Sequence, residues 1–230
     1  MKKFFLFCVF FFYAQLLGFK HFVLVSAPGS GKGTFAQYLS EKYGYKHIAI
    51  GDILRHEIKQ QTAFGKTIEH KVKNGEYLDQ AIIDQLVIDN IGEILNRKQF
   101  FIIDGFPRCM ESFDVLYSFL KHRGIVDDVC FLQLSASNDT CVERILNRRV
   151  CTNCHTVYSI SFKKNICESC GCKLTKRADD TAEKAEKRLQ SFFAHAELIM
   201  SAAKNIYHTV VVNTECRLAD LLVRYDTMAQ

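Results

Sequence analysis

The chain has no tandem repeat and no low-complexity tract, which excludes a solenoid, a propeller or a disordered linker as its main architecture. After residue 20 it has no basic block interleaved with aromatic residues, so its formal charge of +5 does not call for nucleic acid. Its longest apolar run, Phe4 to Leu17, is short for a full membrane span. What is there is 230 residues, 48% apolar and 24% charged, enough for a substantial core. That is one large domain, or one domain with insertions.

The strongest local signal is VLVSAPGSGKGT, residues 23–34. Val23, Leu24 and Val25 read as a buried parallel strand that breaks into a glycine-rich turn ending at Lys32. Glycines leave room for backbone N–H groups to close on phosphate oxygens. A helix from about Gly33 turns its positive N-terminal end toward the same anions. Lys32 adds a mobile cation that can follow a phosphoryl group in transfer. Pro28, Gly29, Ser30, Gly31, Lys32, Gly33 and Thr34 are therefore a candidate phosphate cradle, in the strand–loop–helix order that such a loop requires. The generic pattern asks for glycine at Ser26 and for Ser or Thr at Gly33. The first departure predicts slight strain in the turn.

Ten cysteines would suit a disulfide framework in a secreted protein, but five of them crowd between residues 151 and 172. CTNC, twelve residues, then CESC is the spacing of a four-thiolate tetrahedral zinc site formed by Cys151, Cys154, Cys167 and Cys170. With four protein ligands the metal would be structural, and it would supply much of the folding energy of a small polar segment. The alternatives are two disulfides or free thiols, with Cys172 and His155 as substitute ligands. Cys8, Cys109, Cys130, Cys141 and Cys216 are scattered, mostly in apolar contexts where cysteine serves as a small hydrophobe. A nucleotide site beside metal-spaced thiols indicates a reducing, cytoplasmic setting. The first twenty residues conflict with that, since Lys2 and Lys3 precede the apolar run as in a signal peptide or short anchor. An anchor, an export signal and a start codon placed too far upstream are the three readings. The third is preferred, and a membrane partner follows only if residues 4–17 are a real anchor.

Along the chain, 34–43 reads as a helix closed by Gly44, HIAI (47–50) as a strand, and GDILRHEI as a helix with Asp52 at its N-cap. Helices are expected at about 65–73, 80–96, 111–122, 139–149 and 218–224, and strands at 100–104, 129–134 and 209–213. Alternating strands and helices predict an α/β fold with a doubly wound parallel sheet, and a ligand across the carboxyl ends of its strands. Asp104 ends one such strand and continues into GFPR. A carboxylate there suits Mg²⁺ held through water, and Arg108 can grip a phosphate as a planar fork.

The Ala-Pro-Gly turn with Lys-Gly-Thr, together with DGFPR, resembles the adenylate kinases and their nucleoside monophosphate kinase relatives over essentially all of residues 21–230. The resemblance implies a phosphate-loop fold with a five-stranded parallel sheet. Its core would be 21–48, 79–147 and 181–230, with an acceptor segment at 49–78 and a zinc-ribbon lid at 148–180. It implies Mg²⁺-dependent transfer from ATP to AMP giving two ADP by a monomer, with no nucleic acid involved. By the same resemblance Arg55 and Arg108 bind the acceptor phosphate. Arg144 stacks on the adenine of ATP, Arg148 reaches its phosphates, and Arg177 and Arg188 close from the far side. Val157, Tyr158 and Cys216 join the ATP side; Ile50, Glu76, Tyr77, Leu78, Gly105, Phe106 and Ser112 join the acceptor side.

The acceptor-base pocket departs from that pattern. Ile50 stands where the family has Thr, and Ser112 where it has a base-reading Gln. Losing polar base readers relaxes discrimination, so the alternative is a monophosphate kinase with a different or broader acceptor. From another class, the alternative is a degenerate protein that binds nucleotide or carries a zinc ribbon for nucleic acid. Intact Lys32, Asp104 and the arginine set speak against it.

Overall fold

The computed structural model describes residues 19–74, 78–154, 156–158, 162–177 and 180–215. Five strands form one parallel sheet: β1 (His21–Leu24), β2 (Lys46–Ala49), β3 (Phe101–Asp104), β4 (Val129–Ser135) and, at the far edge, β8 (His208–Asn213). The order across the sheet is β2-β3-β1-β4-β8. The chain thus builds outward from β1 in both directions, and the loop after β1 opens where that direction reverses, the place where such sheets bind ligands. In register, Leu24 pairs with Asp104 on one side and Leu132 on the other, so β1 and β3 end level while β4 runs three residues further, to Ser135 beside Asn213 of β8.

Seven helices are described: α1 (Lys32–Tyr43), α2 (Ile50–Lys59), α3 (Ala63–Asn74), α4 (Gln80–Asn96), α5 (Met110–His122), α6 (Asn138–Asn147) and α7 (Ala182–Lys204). Helices cover both faces of the sheet, which is why its central strands read as continuous apolar runs. Alternate residues feed two cores: Val23, Phe101, Ile103 and Phe131 pack with Leu116 and Ile199 on one face. Phe22, Leu24, Ile102 and Leu132 meet Phe35 and Leu39 on the other. Each such side chain, fully buried, contributes about 1.5–3 kcal/mol. A second, antiparallel sheet of three short strands, β5 (Arg149–Cys151), β6 (Val157–Tyr158) and β7 (Leu174–Thr175), encloses a small cluster of Cys151, Cys167 and Leu174.

Several local expectations need correction. Ile50 opens α2 instead of closing a strand, and Ala49, not Asp52, is the N-cap. An apolar residue that is buried in either conformation carries no signal for choosing between them. Helix α6 stops at Asn147, because Arg148 turns to extended backbone and Arg149 enters β5. The 23-residue α7 is missing from the sequence reading, although Ala185, Leu189, Ala196, Ile199, Met200 and Ala203 mark its buried stripe. The expected strain at Ser26 is also absent, since Gln61 and Lys98 are the only non-glycine residues with positive φ among the described residues. Ser26 accepts the Leu134 N–H at 2.8 Å instead, tying the end of β1 to β4. The helix expected at 218–224 lies outside the described residues. No helix of the described residues is long and apolar enough to cross a membrane.

Candidate active site

The loop between β1 and α1 is built for close approach. Gly29 holds φ +83°, and a Cβ there would stand 2.3 Å from the Cys141 carbonyl oxygen, so only glycine fits. Gly31 holds φ 99° and passes directly into α1, which starts at Lys32, one residue earlier than expected. The opposite side of the loop is fastened by Thr214, whose hydroxyl donates to the Ser30 carbonyl at 2.8 Å. Arg144 on α6 donates to the Thr214 carbonyl at 2.7 Å and reaches the Gly29 carbonyl at 3.5 Å. The loop is therefore held from three directions before any anion arrives.

Lys32 points along the loop, its Nζ donating to the Ala27 carbonyl at 3.5 Å and lying 4.0 Å from Asp104 Oδ1. Burial pulls the Lys32 pKa below its usual value, opposed by Asp104 and helped by the positive charges of Arg148, Arg108 and Arg177. Burial works to raise the Asp104 pKa, but Lys32 and His47 outweigh it and hold that carboxyl below the usual range. His47, on β2, sets its Nε2 3.6 Å from Asp104 Oδ2. A carboxylate flanked by these two groups at a cleft wall, 13% exposed, fits a hydrated divalent cation.

These residues open into one cleft of about 1080 Å³ at the carboxyl ends of the strands. Pro28, Gly29, Gly31, Lys32, Gly33 and Thr34 line it on one side. Arg55, Gly105 and Arg108 line the acceptor side, while Arg144, Arg148, Val157, Tyr158, Arg177 and Arg188 close the rest. Arg108 is held by its own loop, Nε donating to the Gly105 carbonyl at 2.8 Å. Arg148 makes a two-pronged pair with Asp180 at 2.7 and 2.6 Å, and Arg188 reaches the same carboxylate at 3.1 Å. Burial favours a higher Asp180 pKa, but the two arginines prevail and lower it. Asp180, His47 and Thr214 are the positions that the sequence reading missed. Each matters through a partner far away in the chain, and no local pattern marks it.

Not every expected site residue faces the cleft. Ser30 is wholly buried beneath the loop, Ile50 and Phe106 belong to the core, and Ser112 is completely buried behind the wall. Leu78 is half-buried and is not part of the cleft lining. Glu76, Tyr77 and Cys216 lie outside the described residues.

In the three-stranded segment, the sulfur atoms of Cys151, Cys154, Cys167 and Cys170 lie within 4.8 Å of one another, and the neighbouring pairs are 3.4, 3.4 and 3.5 Å apart. Thiolates about 2.3 Å from a central zinc would stand at a similar separation, so the set fits that ion. The Asn153 N–H points at Cys151 Sγ from 3.4 Å, and the Tyr158 hydroxyl lies 3.2 Å from Cys167 Sγ. A backbone N–H from Cys172, then Cys151, lowers the Cys170 pKa to about 6. The described cysteines are free, and the cluster consists of the four that the spacing singles out.

The family described as adenylate kinase matches residues 24–207. A protein of Thermococcus kodakarensis called adenylate kinase is 35% identical over 191 residues, covering 80% of this chain and 84% of its own. Its namesake in Caldicellulosiruptor bescii is 34% identical over 208 residues, with 86% and 93% covered. That of Caldicellulosiruptor saccharolyticus is 36% identical over 193 residues, with 80% and 86% covered. With the phosphate loop, the cleft and these likenesses in agreement, the chain belongs to the adenylate kinase family.

Proposed function

We propose that the protein catalyses the reversible, Mg²⁺-dependent transfer of the terminal phosphoryl group of ATP to AMP, giving two ADP. One observation carries this reading: Lys32, Asp104 and arginines 55, 108, 148, 177 and 188 face a single cleft at the carboxyl ends of a parallel sheet. An oxygen of the acceptor phosphate attacks the γ-phosphorus. The new P–O bond forms as the bond to the β–γ bridging oxygen breaks, and ADP leaves with that electron pair. Such a reaction asks the protein for in-line placement and for cations around the travelling group, and little else.

The roles divide by position. The loop 28–34 holds the ATP phosphates, and Lys32 follows the transferred group. Arg144, Val157, Tyr158 and Cys216 border the adenosine of ATP. Arg55 and Arg108 take the acceptor phosphate, while Arg148, Arg177 and Arg188 complete the charge from above. Ile50, Glu76, Tyr77, Leu78, Gly105, Phe106 and Ser112 form the surroundings of the acceptor. Mg²⁺ bound with ATP would offset charge on the phosphate oxygens, and Asp104 would hold it through water. Cys151, Cys154, Cys167 and Cys170 hold a structural Zn²⁺. Segments 49–78 and 148–180 close on acceptor and donor over a core of 21–48, 79–147 and 181–230. The protein works as a cytoplasmic monomer without nucleic acid.

The test is a coupled assay of purified protein with ATP and each of AMP, GMP, CMP and UMP. ADP formation from AMP that depends on Mg²⁺ is the expected result. Turnover with none of the four would overturn the reading.

A further inference from the structure

Three polar side chains meet behind the acceptor wall, where α4 and α5 begin. Ser112 is fully buried in the first turn of α5, and Asp84, one turn into α4, is 7% exposed. Gln80, the first residue of α4, is half-buried. Its Nε2 lies 2.8 Å from Asp84 Oδ1 and 2.7 Å from Ser112 Oγ, and the Ser112 hydroxyl donates to Asp84 Oδ1 at 2.7 Å. Cys109 Sγ, 3.3 Å from Ser112 Oγ, links the group to Arg108 on the cleft wall.

This arrangement fixes the polarity of one amide. The Asp84 carboxylate accepts hydrogen bonds, and Ser112 has committed its single proton to it. Gln80 must therefore turn its NH₂ inward, which directs Oε1 away from the cluster. An amide oxygen presented in one orientation reads a donor and rejects an acceptor. Among the described residues Asp84 has no cationic partner, so two neutral donors alone offset its burial. Apolar side chains would fill this space without that cost.

We propose that Gln80 determines acceptor-base specificity, its Oε1 accepting from the exocyclic amino group of adenine, with Asp84 and Ser112 as positioning residues that fix the amide. The carboxamide absent at position 112 thus arrives from α4. This rests on the monophosphate-kinase reading, and it replaces the expectation of a relaxed pocket with one of retained choice between a 6-amino and a 6-oxo purine.

The test compares AMP with IMP, in which a 6-oxo group replaces the 6-amino group and N1 carries a proton. It measures kcat/KM with ATP as donor, and equilibrium binding in parallel, for the native protein, Gln80→Leu and Asp84→Asn. The native protein is expected to favour AMP. Gln80→Leu should lower the AMP-to-IMP ratio about tenfold or more with the KM for ATP near native, and should also lower the melting temperature, because it takes one of the two donors from the buried Asp84 carboxylate. Asp84→Asn, whose side chain can donate as well as accept, should lower the same ratio by freeing the amide to turn. An unchanged ratio in both variants overturns the proposal. So does a native preference for GMP, whose N1–H and 2-amino donors would suit Asp84 itself. If the protein binds monophosphates without transferring to them, the reaction assignment fails, while the binding ratio still decides the role of Gln80.

Discussion

Arg177, just past β7, donates to Asp52 Oδ1 on α2 at 3.2 Å, across 125 residues of chain. Arg55 donates to the same oxygen. Two arginines proposed to bind phosphate thus converge on a carboxylate, which draws them as a phosphate would. Lys59 adds a bond at 3.4 Å to the Thr152 carbonyl, so α2 and the three-stranded segment are joined at two places.

The first prediction concerns this latch. Asp52→Asn removes a partly exposed ion pair worth up to about 1 kcal/mol, or roughly a fivefold shift between closed and open forms. Amides of 149–151 and 174–175 should exchange several-fold faster in the ligand-free variant than in the native protein. With a two-headed inhibitor bound, joining two adenosines through five phosphates, the difference should vanish. Equal exchange in the ligand-free proteins would show that the contact does not hold the segments together.

Replacing Lys32 by Met tests the phosphate loop. The lysine makes one long contact to a carbonyl and one ion pair with Asp104, so its charge serves the cleft more than the packing. Loss of a group aimed at developing charge costs about 3–4 kcal/mol of transition-state stabilisation. Turnover should fall by about two to three orders of magnitude while the circular dichroism spectrum stays native. Near-normal turnover would remove Lys32 from the chemistry.

The sheet and the loop were legible because their signals are local. FIID, VCFLQL and VLV are apolar runs bounded by breakers, and a glycine-rich turn between strand and helix has few other uses. The cysteine cluster was legible from spacing alone, since two Cys-x-x-Cys knuckles bring their own geometry. The polar tethers were not. Asp180 gains its place by holding Arg148, 32 residues away, and Thr214 by reaching Ser30, 184 residues away. Ser112 could be noticed as a departure, but the neighbour that meets it, Gln80, lies on another helix. Helix α7 shows a different failure: its apolar stripe was present, but many charged residues lie between its members.

His21 should make stability depend on acid. It is buried in β1, its Nδ1 accepting the Phe101 N–H at 3.2 Å and its ring stacked on Phe101 at 4.0 Å. Burial lowers its pKa from 6.5 to about 4, opposed by Asp128 and slightly aided by Lys20. Since the folded value lies below the unfolded one, the contribution is complete above about pH 6.5 and is lost as pH falls toward 4. The difference corresponds to about 3 kcal/mol at most. Denaturant melts of the native protein at pH 7 and pH 5 should differ by more than those of His21→Gln. Parallel pH profiles for the two would rule out a neutral buried imidazole.

The last prediction concerns zinc. The segment around β5–β7 has four buried apolar residues, Val150, Cys151, Cys167 and Leu174, and two of these are ligand candidates. A core this small offsets little of the entropy of ordering its loops, so a metal on the four sulfurs is expected to supply much of the folding energy. Purified protein should contain one zinc per chain. Chelation should lower the melting temperature by several degrees and speed amide exchange in 149–175 before it affects β1, β3 or β4. Cys151→Ser with Cys170→Ser should reproduce both effects without added chelator, because it removes one ligand from each knuckle. Catalysis at saturating ATP should decline less than stability, since the phosphate loop and Asp104 stand on the sheet and not on this segment. Metal-free protein with an unchanged melting point in the double variant would leave the four sulfurs as a packing cluster and nothing more.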